Sequence, residues 1–380
     1  MLAQRIATFA AHALDIQTRR SRRIAQIALA SLLAVALFPS VHAEKTNQPT
    51  SSPDVGLLAR IHFNTQTADF EKARAFYHRL GFTTGIGGFP KTNTYRMAES
   101  LGMYDICTYE IEDIEVINIP GSWGPTNIDL IQFAVPFNPA PPYPSTHHLG
   151  MAYAALLTTD LEADYAALKE DGVQFLSEPY GVPGNRFVFF TDPDGVFYKL
   201  VEQTPPHALP DQASRLTHII GMPYIGINVS DLDKALAFYQ QLGYTASRAL
   251  PASIGKAEAQ AYGLDRAYRV RGVDVALPHG DRHVLRLLEW VEGPRQAPYP
   301  APISHIGIHR IALAVSNLDQ AVTDLRQAGV QFLSEIAPCC SGTGKDEQGI
   351  INAIDPDGIF VELVGPIKQR PWIDPPEQCR

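Results

Sequence analysis

"DFEKARAFYHRLGF" at 69–82 returns as "DLDKALAFYQQLGY" at 231–244, an offset of 162 residues. In the first copy Phe70, Ala73 and Tyr77 recur at helical spacing; in the second Leu232, Ala235, Tyr239 and Leu242 do the same. That period marks a helix with one buried face. Asp69 and Asp231 stand where an N-cap carboxylate can accept hydrogen bonds from the first turn. The Leu-Gly that ends each run supplies a residue tolerant of the left-handed C-cap.

The repetition extends outward. "GVQFLSE" occurs at 172–178 and again at 329–335, an offset of 157, and "DPDG" occurs at 192–195 and 355–358, an offset of 163. "HLGMAYAALLTTDLEA" at 148–163 parallels "HIGIHRIALAVSNLDQA" at 305–321 and places two further helix starts at Asp160 and Asn317. A unit near 160 residues is therefore duplicated, and each unit splits again. After each helix come apolar, alternating runs suited to strands, such as "NIDLIQFAV", "RFVFFTD", "HVLRLLEW" and "IFVELVG". Pro and Gly make DPDG a turn. Each module reads strand–helix–strand–strand–strand, an α+β pattern of four βαβββ modules in which the helices supply part of a second layer.

The 380 residues suffice for more than one core, at 45% apolar and 19% charged with net charge −9. With no basic block beyond the extreme N-terminus, no nucleic acid is expected as a partner. That terminus has the order of a signal peptide: "RRSRR" at 19–23, then "IAQIALASLLAVALF", then "PSVHA" at 39–43. Cleavage after Ala43 is expected, with an uncleaved anchor as the alternative. It would leave a periplasmic or secreted chain at about −13, with no stable membrane insertion, after loss of five arginines and one aspartate. Cys107, Cys339, Cys340 and Cys379 follow no zinc-knuckle spacing, and their disulfide state is open.

The two helix copies and the two DPDG hairpins resemble the vicinal oxygen chelate superfamily, also called the glyoxalase/bleomycin-resistance/extradiol-dioxygenase fold. The resemblance covers roughly 58–365 and divides the chain as follows. Residues 1–43 form the signal peptide, 44–57 a linker, 58–204 a first two-module domain, 205–222 a linker, 223–365 a second two-module domain and 366–380 a proline-rich tail. It implies an exported protein acting on a small oxygenated or aromatic metabolite, as a lyase, isomerase or dioxygenase. The alternative is a metal-free binding protein that sequesters a small anionic or aromatic ligand. A monomer or homodimer suits either.

In the family, paired modules curl their sheets into a cup, which implies two cupped mixed sheets here, and metal ligands, where present, project inward from the first and last strands. The first-strand position lies seven residues before the helix-starting residue. It is His62 in module one, Tyr153 in module two, Tyr224 in module three and Arg310 in module four, with His309 adjacent. The last-strand positions are Asp129, Lys199, Arg286 and Glu362. Pairing consecutive modules gives two mixed sets. Pairing module one with four collects His62, Asp129 and Glu362, with His309 or Arg310 as fourth, for a divalent Fe, Zn, Ni or Mn ion. Pairing module two with three collects Tyr153, Lys199, Tyr224 and Arg286, a basic, aromatic, metal-free pocket. Glu362, Tyr153, Tyr224 and Lys199 are the candidate catalytic groups, and Lys199, Arg286 and Arg310 the candidate clamp for an anionic ligand. His148 and His305 are equivalent in the repeat and read as linker residues.

Overall fold

The structure, a computed structural model, describes residues 55–86, 94–122, 124–203, 216–278, 280–338, 348–368 and 377. The expected signal peptide, Cys339, Cys340, Cys379 and most of the C-terminal tail lie outside the described residues. Cys107 is disulfide-bonded. Among the described residues no helix is long and apolar enough to cross a membrane.

Module one comprises β1 (Leu57–Gln66), α1 (Phe70–Arg79), β2 (Thr84–Ile86), α2 (Tyr95–Ser100), β3 (Glu110–Asn118) and β4 (Ile128–Val135). Module two comprises β5 (Gly150–Thr158), α3 (Leu161–Glu170), β6 (Tyr180–Val182), β7 (Asn185–Thr191) and β8 (Phe197–Glu202). A short β9 (Ile219–Gly221) arises within the expected linker 205–222. Module three comprises β10 (Tyr224–Val229), α4 (Leu232–Gln241), β11 (Thr245–Ala249), β12 (Ser253–Ile254), α5 (Lys256–Ala261), β13 (Tyr268–Leu277) and β14 (Gly280–Trp290). Module four comprises β15 (Gly307–Val315), α6 (Leu318–Gln327), β16 (Gln331–Phe332), β17 (Ala337–Pro338), β18 (Gln348–Ile354) and β19 (Phe360–Pro366). The four long helices begin where the sequence places them. Asp69, Asp160, Asp231 and Asn317 each accept a first-turn backbone N–H.

The sheets cross the order of the chain. One runs β16-β18-β19-β15-β1-β4-β3-β2 and the other β11-β13-β14-β10-β5-β8-β7-β6. Module four is thus joined to module one by antiparallel pairing of β1 with β15, and module three to module two by β10 with β5. The consecutive ranges 58–204 and 223–365 are therefore not two separate cups. The crossed alternative read from the sequence is the one adopted.

A shared core explains how consecutive modules still meet. The apolar faces of α1, α3, α4 and α6 and the helix-facing residues of both sheets form a single cluster. Phe76 of module one packs 6.3 Å from Phe190 of module two, ring to ring. The Tyr77 hydroxyl donates to Asp192 Oδ2 at 2.7 Å, in the first DPDG turn. Asp192 also accepts the backbone N–H groups of Asp194 and Val196, which closes that turn. The two cups hold two further clusters, one each.

The connections between modules one and two and between three and four also meet. Tyr143 and Tyr299 stack with centroids 3.7 Å apart and planes 7° from parallel. The Tyr143 N–H donates to Tyr299 Oη at 2.9 Å, and the Tyr299 N–H donates to Tyr143 Oη at 3.0 Å. His148 stacks on Tyr143 at 4.4 Å and His305 on Tyr299 at 3.9 Å, so these linker histidines complete a stack of four rings. Gly150 and Gly307 leave room for the clasp. Both have positive φ, and a Cβ on Gly150 would lie 2.2 Å from the Tyr143 hydroxyl. Gly150→Ala should therefore cost more than the ~1–3 kcal/mol of backbone strain alone. Gly172→Ala, where φ is also positive but nothing lies within 4 Å, is the comparison. Urea midpoints measure both, and equal losses would show that the clasp contributes nothing to stability.

Candidate functional site

A bulge orients the centre of each sheet. The β1–β15 register slips between Asn64↔Arg310 and Thr65↔Ile308, leaving His309 as the extra residue. Ile308 and Ile311 consequently share the helix-side core, and both His309 and Arg310 turn into the cup. The β5–β10 pair slips at the equivalent place, between Gly226↔Tyr153 and Ile227↔Met151, skipping Ala152. His62, Asp129, His309, Arg310 and Glu362 therefore gather in the cup of modules one and four. Tyr153, Lys199, Tyr224 and Arg286 gather in the cup of modules two and three.

The first cup packs charged groups against an apolar cluster. Arg310 Nε donates to Glu362 Oε2 at 2.8 Å, and Asn64 Nδ2 donates to Asp129 Oδ2 at 2.5 Å. His62 Nε2 lies 3.9 Å from Asp129 Oδ2. Burial, then the positive charges of Arg310 and Arg60, holds the His62 imidazole down at about 3. Burial pushes the Asp129 carboxyl up to about 7, with Arg310 opposing. Between those values the pair is a neutral imidazole beside a neutral carboxyl, so it is no salt bridge despite its distance. Around it Met97, Leu101 and Met103 pack with Tyr109, Phe133, Ile350 and Phe360.

The expected metal centre does not fit this arrangement. His62 Nε2, Asp129 Oδ1 and His309 Nε2 are buried without a protein partner, as atoms facing a cation would be. The second carboxylate, Glu362, is held by Arg310, which has no lone pair to offer and repels a cation. Among the described residues no group of three or more His, Cys, Asp or Glu side chains is placed to hold a metal ion. Arg310 is equally withdrawn from its expected role as a ligand clamp, because its charge is spent on Glu362.

The second cup contains a cavity of about 410 Å³. Lys199 and Arg286 line it with Glu258, Tyr262 and Phe187. Lys199 Nζ donates to Tyr262 Oη at 2.9 Å and sits 3.7 Å from the centre of the Phe187 ring. Burial, then the charge of Arg286, pulls the lysine well below its ordinary range. Arg286 donates to both carboxylate oxygens of Asp274, at 2.7 and 3.0 Å, and its guanidinium lies 3.7 Å from the centre of the Tyr224 ring. Arg248 donates to the same Asp274, so two guanidinium groups share one carboxylate. Tyr153 lies beneath, fully buried, its ring in the space that a side chain at residue 226 would occupy; Gly226 leaves that space open.

Tyr262, Glu258, Asp274 and Arg248 were not legible as site residues. The first two belong to α5 and its C-cap, an insertion outside the four-strand, one-helix pattern. Its signal was present as a weak repeat of α2. Both helices close with the same backbone bonds, Leu101 N–H to Ala98 O and Tyr262 N–H to Ala259 O. That equivalence sets Glu258 against Met97 and Tyr262 against Leu101. The apolar pair helps plug one cup, and the polar pair lines the cavity in the other.

The closed cup has a pH signature. An unfolded Asp129 ionises near 3.8, but the native carboxyl keeps its proton until about 7. Its contribution is whole below the lower value and is lost as pH rises through the upper one, by up to ~1.4 kcal/mol per pH unit. His62 acts oppositely, losing its contribution as pH falls from about 6.5 to about 3. Asp129→Asn should flatten the decline in urea midpoint between pH 5 and pH 8, leaving the shares of Asp192 and Asp355, also raised to about 7. An unchanged decline would mean that Asp129 is ionised throughout.

The glyoxalase I of Zea mays superposes with a TM-score of 0.52 at 16% identity, covering 81% of this chain and 92% of that one. A point mutant of the same Zea mays enzyme gives 0.53 at 16% identity, with 81% and 92% covered. At this identity the likeness shows the fold. No curated protein matches the sequence. The family model for the Glyoxalase/Bleomycin resistance protein/Dioxygenase superfamily matches residues 126–199 and 218–363, more than half of the chain. The chain belongs to that superfamily.

Proposed function

We propose that the cup of modules two and three is the working site, and that it takes a small planar molecule with an acidic oxygen, such as a phenolate, carboxylate or enolate, without a metal. The observation that carries this reading is Lys199 Nζ, buried in a 410 Å³ cavity with Arg286 and walled by Phe187 and Tyr262. A pocket of that size, mostly apolar with a few convergent polar groups, suits a single small ligand. Leu250, Ile254, Val270 and Leu288 supply the remaining apolar wall. This is the binding-protein reading of the fold.

A second, enzymatic reading draws on Glu258. Its carboxyl lines the same cavity, raised by burial and lowered by Lys199, which puts a titratable acid beside the amine for proton transfer to a developing enolate. Both readings use the same clamp, and both do without the cup of modules one and four.

Titration of chelator-treated protein with 4-hydroxybenzoate, followed by tryptophan fluorescence, tests the site. Trp290 reports on it, its ring centroid 5.6 Å from that of Tyr262. Lys199→Met should weaken binding about tenfold or more, a loss of ~1.4 kcal/mol. His62→Ala should leave it unchanged. Loss of binding on chelation, or full binding by Lys199→Met, would overturn the proposal.

We also infer export of the mature chain to the periplasm or beyond. The basic, apolar, small-residue order of the N-terminus supports this, as does the disulfide at Cys107, a bond that persists in oxidising compartments. N-terminal sequencing of the protein from a periplasmic fraction should begin at Glu44. A cytosolic chain starting at Met1 would overturn it.

A further inference from the structure

We propose that Lys199 is an amine nucleophile that condenses with the carbonyl carbon of a small aromatic aldehyde or 2-oxo acid held in this cavity. The proposal rests on the reading of this cup as the ligand site and adds a covalent step to it.

Geometry comes first. Lys199 lies in β8, on a strand whose neighbours β5 and β7 fix its position on both sides. Its Nζ reaches the cavity wall at the Tyr262 hydroxyl, 2.9 Å away. Among the described residues no carboxylate lies within ion-pair distance of it. Phe187, Phe189 and Tyr262 surround it, with Nζ 3.7, 5.4 and 4.6 Å from the ring centres. A structural lysine at this depth would be expected to carry a paired acid, as Arg310 does in the other cup.

The surroundings favour the free amine. Burial and the Arg286 charge both act against the ammonium form, while Glu258 and Asp274 act for it more weakly. The ring faces also favour the cation, but burial, the largest influence on Lys199, acts against it. A desolvated lysine next to a second cation is the kind that serves as a nucleophile.

The step balances as follows. The Nζ lone pair attacks the carbonyl carbon, forming a C–N bond while the carbonyl π pair moves to oxygen. That oxygen takes the proton that the nitrogen gives up, passed across by the Glu258 carboxylate, leaving a neutral carbinolamine. The hydroxyl takes a second proton from solvent by way of Glu258 and departs as water as the nitrogen lone pair forms C=N, and the nitrogen then returns its remaining proton by the same route. Carbonyl and amine become imine and water, with no oxidant or reductant consumed. Arg286 faces the carboxylate of a 2-oxo acid, and the aromatic walls stack on its ring.

The test uses the full chain, treated with chelator, with phenylpyruvate as probe. Binding is first measured alone by Trp290 fluorescence. Sodium cyanoborohydride at pH 7 then traps any imine as a secondary amine, read by intact mass and peptide mapping. Each unit by which a lysine is depressed raises its neutral fraction about tenfold. Labelling at Lys199 should therefore exceed that at the exposed Lys169 by at least about tenfold and vanish in Lys199→Met. The wild-type peptide map decides the matter even if that variant fails to fold. Binding without a label at Lys199, or a label spread over surface lysines, overturns the nucleophile and leaves the ligand site standing. Neither binding nor label overturns both.

Discussion

The antiparallel pairing of β1 with β15, and of β10 with β5, is the constraint on which the rest depends. It joins the first module to the last and encloses the middle two. Each joint carries a one-residue slip at the equivalent position. Strict alternation would send residues 308 and 311 to opposite faces, because a strand repeats every two residues. The slip returns both isoleucines to the shared core and turns two consecutive residues, His309 and Arg310, into the cup. Without it the inward set of module four would lose either its cation or its core contact.

Crossing also settles how a tandem duplication stays compact. Consecutive modules do not share a sheet, so they must adhere by other means. Helix packing supplies one: Phe76 and Tyr77 reach Phe190, Tyr198 and Asp192 across the module boundary. The later half repeats the turn contact, where the Ser230 N–H donates to Asp357 Oδ2 as the Thr67 hydroxyl does to Asp194 Oδ2. The tyrosine clasp supplies another, since each partner both gives and receives one backbone–hydroxyl bond. Two linkers far apart in sequence are thereby held at one point near the approximate twofold axis of the repeat.

Much of this was readable beforehand. Helix starts and the DPDG turns depend on local chemistry, a carboxylate beside free N–H groups and a Pro-Gly pair, so residue types alone revealed them. The inward positions followed from the family resemblance carried across the repeat, and all eight fall in cups. Pairing was harder. Linkers containing several prolines can reach either partner, and the choice lies in long-range contacts such as Tyr143 with Tyr299. The metal reading rested on donors at matched positions, with Arg310 set against it as a candidate partner of Glu362; the structure forms that ion pair, and among the described residues no group of three or more donors is placed for a metal. Asp274 was invisible for a related reason. It acts across the sheet, opposite Arg286 in the β13–β14 register, where one strand's alternation says nothing of its neighbour's charge.

Equivalent positions in the two cups show how one scaffold supports two outcomes. Burying a charge is costly unless a partner compensates it. In the cup of modules one and four, Arg310 meets Glu362, Asp129 keeps its proton at acidic and near-neutral pH, and His62 stays neutral. Met97 and Leu101 help close the remaining space. There Arg310 and Glu362 answer each other and His62 and Asp129 are discharged, while His62 Nε2, Asp129 Oδ1 and His309 Nε2 keep no protein partner. In the cup of modules two and three the acid of module four is replaced by Lys199, and the arginine by Tyr153. Asp274 answers Arg286 with help from Arg248, but Lys199 is answered only by a hydroxyl and ring faces. The polar Glu258 and Tyr262 line the space that their counterparts help to fill. A buried amine with an incomplete set of partners, beside an open cavity, is a site whose electrostatics a ligand can finish. The exchange of Glu362 for Lys199 at equivalent positions of the two hairpins thus separates an acid paired within the protein from an amine open to a ligand.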